Sequence, residues 1–193
     1  AYSRLGHGLE GQEDRACPDH RHCRKTARKM TVDPLKEMPY RPCVGALLLN
    51  RAGEVFVARR IDTPDGWQMP QGGIDDDESP LDAVLRELAE ETGVTSVEVL
   101  GESSGWLQYD LPDELIGKVL GGIYRGQRQK WFALGFTGDE SEIDLQAHDE
   151  VEFDDWKWVQ MADLPDMTVS FKRDLYVEIV QEFDHFGKAC IKT

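Results

Sequence analysis

The chain has 193 residues, 40% of them hydrophobic and 31% charged, with a formal net charge of −15. That length accommodates one domain with a sizeable core and a terminal tail, and argues against a second full domain. The charge argues against broad nonspecific binding to nucleic acid, DNA included, or to an anionic membrane, but leaves room for a nucleotide held at one local cationic site.

Residues 1–29 carry seven basic and four acidic side chains and almost no apolar periodicity, which leaves the remainder of the chain at −18. A segment of that kind buries too little apolar surface to offset its ordering entropy. Residues 1–37 are therefore expected to be a disordered N-terminal extension, of which 1–29 are dispensable, with 38–187 the folded domain and 188–193 a C-terminal tail. Cys17 and Cys23, with His20 and His22 between them, suggest zinc only weakly, because the spacing is not that of a standard finger and no second ligand pair follows. Together with Cys43 and Cys190 they are too few and too scattered for a disulfide scaffold. No apolar run reaches the roughly 18 residues that cross a bilayer. The expectation is a cytoplasmic monomer.

From Tyr40 the pattern becomes that of strands. Val44 to Leu49 is apolar at both alternations, Arg51-Ala52-Gly53 supplies a turn, and Glu54 to Ile61 returns. This predicts a hairpin whose first arm lies inside a sheet. Asp62 to Gly66 is a loop by composition, and Trp67 to Gln71 delivers the chain to a glycine pair.

Gly72 to Val94 then reads as a glycine-rich loop running into a helix. Ser79 suits the N-cap, Pro80 the first turn, and Gly93 a left-handed C-terminal cap. At about 100° per residue Leu81, Val84, Leu85 and Leu88 share a stripe, while Glu87, Glu90 and Glu91 fan out beside it. Carboxylates at i, i+3 and i+4 repel on an isolated helix, so a cation is expected between them. Oxygen donors of this type suit a hard divalent ion, Mg²⁺ or Mn²⁺, completed by substrate phosphates. A plain solvated acidic face is the alternative.

After the helix, Val97 to Leu100 and Gly105 to Asp110 read as strands, and Leu111 to Gly122 as a loop with a helical turn. Gln127 to Phe136 is a strand, Gly138 to Glu150 an acidic loop, Trp156 to Val159 a short strand, and Lys172 to Phe183 an amphipathic helix. Leu175, Ile179, Val180 and Phe183 form its apolar side. Trp67, Trp131, Trp156 and Trp158 are expected in the core. The succession fits an α/β fold, a mixed β-sheet sandwiched between α-helices. A general base is expected outside the glutamate cluster, with Glu152 the candidate and Glu150 and Asp154 the alternatives.

Gly72, five residues, Glu78, seven residues, and Arg86-Glu87-Leu88-x-Glu90-Glu91-x-Gly93-Val94 together resemble the Nudix box, with nine specified positions filled over twenty-three residues. The resemblance implies a Nudix fold and a divalent metal bound by Glu87, Glu90, Glu91 and the carbonyl of Gly72. Glu78 and Arg86 would form a structural pair beside the capping Gly93. Further motifs, among them Tyr40-Arg41-Pro42, Ala58-Arg59-Arg60, Trp67 to Ile74, Gln129 to Phe132, Glu152-Phe153-x-x-Trp156 and Val169 to Asp174, are similar to one Nudix subgroup. It comprises bacterial RNA pyrophosphohydrolases and asymmetrical dinucleoside tetraphosphate hydrolases. That likeness implies Glu152 as base or metal ligand, so that Glu90 and Glu152 are the catalytic candidates. It also implies removal of pyrophosphate from the 5′-triphosphate end of RNA, promoting RNA decay, or cleavage of diadenosine tetraphosphate to ATP and AMP. Arg41, Arg60, Lys130 and Lys172 are suited to phosphates, Phe171 and the Arg60 guanidinium to stacking on a base, with Val169 and Ser170 beside them. A third reading, a nucleotide-sensing module without catalysis, sits poorly with a complete set of box carboxylates.

Overall fold

Residues 37–63 and 66–190 are described by a computed structural model of the chain. Residues 1–36 of the expected extension, the zinc reading of Cys17, His20, His22 and Cys23, and residues 191–193 of the expected tail lie outside them.

The strand signals become β1 (Tyr40–Leu49) and β2 (Val55–Arg60), joined by a turn in which the Gly53 N–H donates to the Asn50 carbonyl at 3.0 Å. Gly53 adopts a φ of 75°, a left-handed value that only a residue without Cβ takes freely. Two short strands follow, β3 (Trp67–Gln68) and β4 (Gln71–Gly73), where the sequence suggests only a connector. The helix α1 (Pro80–Thr92) comes next, then β5 (Val97–Glu102), β6 (Leu107–Asp110), β7 (Gly126–Phe136) and β8 (Phe153–Val159). The chain closes with a short helix, α2 (Leu164–Met167), and α3 (Arg173–Cys190).

The sheet has eight strands in the order β3-β2-β1-β7-β5, with β4 also pairing with β1, β6 with β7, and β8 with β2. β1 runs parallel to β7 from Tyr40 beside Gly126 to Leu49 beside Gly135, and the other pairings are antiparallel, so the sheet is mixed. Buried on both faces, β1 is central, which is why its sequence lacks polar alternation. On one face Leu47, Leu49, Trp131 and Ala133 pack with Leu175, Tyr176, Ile179 and Phe183 of α3. On the other Val44, Ala46, Leu48, Phe132 and Leu134 pack with Ala83, Val84 and Leu88 of α1. Gly45 lets the sheet accept Trp131, since a Cβ there would lie 2.6 Å from the indole ring.

The caps of α1 are those the sequence indicates. Ser79 Oγ accepts the Asp82 N–H at 3.1 Å, and Gly93 at φ 74° donates its N–H to the Ala89 carbonyl at 2.8 Å. Its buried stripe differs from expectation: Leu81 is 39% exposed, Leu85 is half-buried, and Ala83 takes the core position. Of the tryptophans only Trp131 is fully buried; Trp67, Trp156 and Trp158 are half-buried. β8 begins at Phe153 rather than Trp156, α2 has no counterpart in the sequence reading, and α3 runs past both Phe183 and the boundary set at 187. Among the described residues no helix is long and apolar enough to cross a membrane.

Candidate active site

The cluster grows out of the antiparallel pairing of β4 with β1, which sets Gly72 beside Val44 and Gly73 beside Cys43. That register presses the glycine backbone against the last turns of α1. A Cβ on Gly72 would lie 1.9 Å from the Glu87 carboxylate, and one on Gly73 would lie 2.4 Å from Arg41 Nη2. A side chain at either position would displace the Glu87 carboxylate or the Arg41 guanidinium, so both glycines are there for close approach.

Arg86 organises the loop. Its Nε donates to Glu78 Oε1 at 2.9 Å, Nη2 to Glu78 Oε2 at 2.8 Å and to the Gly73 carbonyl at 2.9 Å. Its Nη1 reaches Glu87 Oε1 at 3.0 Å and Glu90 Oε2 at 3.1 Å. The cation between Glu87 and Glu90 is thus in part this guanidinium. Arg86, with the Asp75 N–H, holds the Glu78 carboxyl down at about 2.

Glu91 is 7% exposed; its Oε2 accepts the Gln71 N–H at 3.0 Å, and its Oε1 is buried without a hydrogen-bond partner. Burial first, then the nearby Glu152 and Glu87 charges, pushes the Glu91 carboxyl well above its ordinary range. Burial also raises Glu87, against the pull of Arg86. An orphaned buried carboxylate oxygen costs on the order of 1–3 kcal/mol or more unless something positive meets it.

Across from the helix, Arg60 at the end of β2 grips Asp62 through Nε at 2.6 Å and Nη2 at 2.8 Å. Its Nη1 donates to Glu152 Oε2 at 2.9 Å. The β2–β8 register slips between Arg59 and Arg60, and the Ile61 N–H donates to the Glu152 carbonyl at 3.0 Å, which turns Glu152 inward. Asp154 is instead drawn away by Arg59 at 2.8 Å.

These groups surround a cavity of about 550 Å³, lined on one side by Gly72, Gly73, Glu87, Glu90 and Glu91 and on others by Arg41, Arg60, Gln71, Leu120, Gln127, His148, Asp149, Glu150 and Glu152. Three carboxylates, a glycine pair, Glu152 and the cations Arg41 and Arg60 therefore converge. Among the described residues no three His, Cys, Asp or Glu side chains, as they stand, are gathered into a group that could hold a metal ion, Arg86 being paired with Glu87 and Glu90. The residues nonetheless fit a hard divalent ion. The donors are all oxygen, Glu91 Oε1 lacks a partner, and Gly72 leaves the backbone open.

Lys130, Val169, Ser170, Phe171 and Lys172 are absent from the cavity lining. Lys130 Nζ donates to the Ser103 carbonyl and lies 3.5 Å from Glu102. Phe171 packs on Tyr109 with ring centres 5.7 Å apart. The Val169 carbonyl accepts the Lys172 N–H at 2.9 Å, and Ser170 is exposed. Lys172 is only 8% exposed, with Nζ 3.4 Å from Gln68 Oε1 and 5.4 Å from the centre of the Tyr109 ring.

The structure adds Leu120, Gln127, His148 and Asp149, which the sequence reading did not select. Gln127 pairs with Arg41 in the parallel β1–β7 register. His148 and Asp149 end the acidic loop, whose start is nailed to the end of α1: Glu142 Oε1 accepts the Thr95 N–H at 2.7 Å and the Ser96 N–H at 2.9 Å. The Asp144 N–H donates to the Thr92 carbonyl at 2.8 Å.

A mixed sheet between helices, with a glycine loop and helix carrying three glutamates into an open cavity, defines a class, and residues 39–179 match the NUDIX domain. The chain belongs to the Nudix hydrolase family. It is 57% identical over 155 residues to the RNA pyrophosphohydrolase of Novosphingobium aromaticivorans, an alignment that covers 78% of this chain and 96% of that one. It is 54% identical over 167 residues to the RNA pyrophosphohydrolase of Brucella ovis, covering 81% and 93% respectively. Among solved structures, the E. coli dihydroneopterin triphosphate pyrophosphohydrolase superposes with a TM-score of 0.58 at 18% identity, over 74% of this chain and 97% of that one. A C. elegans Ap4A hydrolase superposes with a TM-score of 0.55 at 19% identity, over 76% and 96%. At such identities the likeness is one of fold.

Proposed function

We propose that the protein hydrolyses the 5′-triphosphate end of RNA in the cytoplasm, releasing pyrophosphate and leaving a 5′-monophosphate, and that it works as a monomer. The observation that carries this reading is the meeting of box carboxylates and guanidinium groups across one cavity: Glu87, Glu90 and Glu91 on α1 face Arg41 and Arg60 on β1 and β2. A polyanionic phosphate chain needs both halves, cations to hold it and carboxylates to hold the ions that neutralise it. The high identity to RNA pyrophosphohydrolases along nearly their whole length supports RNA as the carrier of that chain.

In this reading Glu87, Glu90, Glu91 and the Gly72 carbonyl would hold Mg²⁺ or Mn²⁺, while Glu152, the alternative further ligand, serves as base. Such an ion, when bound, screens charge on the phosphates and favours the hydroxide form of water. Arg41 and Arg60 attract and orient the phosphates by their charge, Arg60 with its guanidinium held in place by Asp62 and Glu152. Glu152 takes the proton of the attacking water, one phosphoanhydride P–O bond breaks, and the α-phosphate stays on the RNA. Glu78 and Arg86 keep the glycine loop in register with the helix, and Lys130 and the segment from Val169 to Lys172 take part further along the RNA or in shaping the site. The test is a comparison of a triphosphorylated oligonucleotide with diadenosine tetraphosphate, each with Mg²⁺ or Mn²⁺. A higher kcat/KM on RNA is expected; equal or reversed preference overturns the ranking in favour of the dinucleotide.

A further inference from the structure

The cavity wall contains a conformational irregularity that the metal and phosphate chemistry leaves unused. Val119 to Gly122 is a tight turn closed by the Gly122 N–H donating to the Val119 carbonyl at 2.9 Å. Its central residues, Leu120 and Gly121, have φ values of 52° and 68°, the left-handed pair of a mirror-image turn. Asn, Asp and Gly fill such positions at little cost, whereas a bulky side chain is strained there by about 1 kcal/mol or more. Leu120 occupies the costly position while glycines occupy the positions around it, Gly117 at 79°, Gly121 and Gly122 at 73°.

Leu120 is half-buried. Part of its side chain packs on the cluster that contains Tyr109 and Leu111, and it lines the cavity. Among the described residues it contributes the one apolar side chain to that lining; the others are carboxylates, guanidiniums, amides, an imidazole and glycines. The chain from this turn runs directly into β7, whose Gln127 lines the cavity beside Arg41. A strained residue held by its surroundings at a site is a pointer to use there.

Resting on the RNA reading above, we infer that Leu120 is a specificity-determining residue whose apolar surface receives the face of a nucleobase at the RNA end. Phosphates and cations gain nothing from a leucine. A base face does, because both surfaces leave water on contact, and single-stranded RNA ends offer unstacked bases for such contacts. The residue thereby favours a triphosphate that carries a base close by over a bare polyphosphate.

The experiment uses the full chain and three triphosphorylated oligonucleotides: intact, abasic at the first residue, and abasic at the second. The wild type should lose about five- to tenfold in kcat/KM on one of the two abasic substrates, chiefly through KM, from loss of a contact of this size. Leu120→Asn, which suits the left-handed turn and so keeps the fold, should show that loss on the intact substrate and no further loss when the base is removed. Leu120→Met, which keeps the apolar surface, should retain the discrimination. Thermal unfolding checks that the variants are folded. The inference is overturned if the wild type is indifferent to removal of either base, or if Leu120→Asn discriminates as the wild type does. Failure of the wild type to cut any triphosphorylated RNA while cutting diadenosine tetraphosphate sinks the RNA reading, and this inference with it.

Discussion

Arg86 holds Glu78 at two points, 2.9 and 2.8 Å, while its remaining amino group reaches Glu87 and Glu90 at 3.0 and 3.1 Å. One guanidinium thus ties the glycine loop to the helix and places two of the proposed metal ligands. A lysine keeps the charge but lacks the planar fork and its second point of contact. Arg86→Lys should therefore lower kcat on the order of tenfold or more through misplacement of the glutamates, with a smaller fall in Tm. Wild-type kcat in this variant would remove Arg86 from the positioning role.

Glu91 carries the opposite lesson, a residue that opposes the fold. Its carboxyl is raised above the unfolded value of 4.5, so the folded state binds the proton more tightly than the unfolded state does. The stabilisation linked to that proton is complete below about 4.5 and is lost as pH rises towards the folded value. As pH rises above 4.5 the wild type must increasingly bear a buried, part-unpartnered carboxylate, a cost that Glu91→Gln removes. The variant should melt higher than the wild type at pH 7 in chelator, the difference shrinking towards pH 4, and should have no detectable turnover. A lower Tm at pH 7 would contradict this account of its burial.

Filling the site with a cation should reverse that penalty. A ligand that binds only the folded state at a hundred times its Kd adds about 2.7 kcal/mol, and each kcal/mol moves the Tm of a domain this size by about 2–4 °C. Addition of Mg²⁺ or Mn²⁺ to chelator-treated wild type should raise Tm by several degrees, and Glu91→Gln should respond weakly. Equal shifts in both would place the ion elsewhere.

Gly72 tests the close approach of loop and helix. A Cβ would overlap the Glu87 carboxylate at 1.9 Å, and the collision is with the end of a side chain that can swing aside. Gly72→Ala should stay folded and lose activity by roughly a hundredfold, as displacement of about 1 Å at a reacting centre does. Gly45→Ala is the contrast, since its Cβ meets the fully buried Trp131 ring at 2.6 Å and the core cannot yield. It should cost stability, about 1–3 kcal/mol or more by denaturant unfolding.

What the sequence discloses follows the range of the forces involved. Ser79, Pro80 and Gly93 act within a turn of α1, so both ends of the helix are visible in the sequence, as is the double-sided apolar run of β1. The two-residue β3 and three-residue β4 are too short for any period to register. The contact of Arg60 with Glu152 spans 92 positions and depends on a slipped register, so spacing alone leaves Glu152 level with Glu150 and Asp154, and only a family pattern separates them. The placement of His148 and Asp149 depends on Glu142 being fixed by Thr95 and Ser96 far back in the chain. Charge type does not reveal burial either: Lys130 and Lys172 read as free cations, yet one is turned to a backbone carbonyl and the other is sealed beneath the site.

Lys172 therefore yields the last expectation. Burial first, then the Arg60 charge, lowers its amine to about 8 from an ordinary 10.5. The folded state gives up this proton near 8 and the unfolded state near 10.5, so between those values the unfolded state holds more protons and stability rises with pH. Below that window the folded protein carries the cost of a buried ammonium, offset in part by the amide oxygen of Gln68 at 3.4 Å, the Tyr109 ring face and the nearby Glu91 and Asp62 carboxyls. Lys172→Met, which fills the same volume without charge, should raise Tm at pH 7, and the gain should fade between about pH 8 and 10.5. If the residue also serves RNA from below the cavity, the same variant will lose activity while gaining stability, the two measured on one preparation. A variant less stable than wild type at pH 7 would mean that the ammonium is better compensated than its burial indicates.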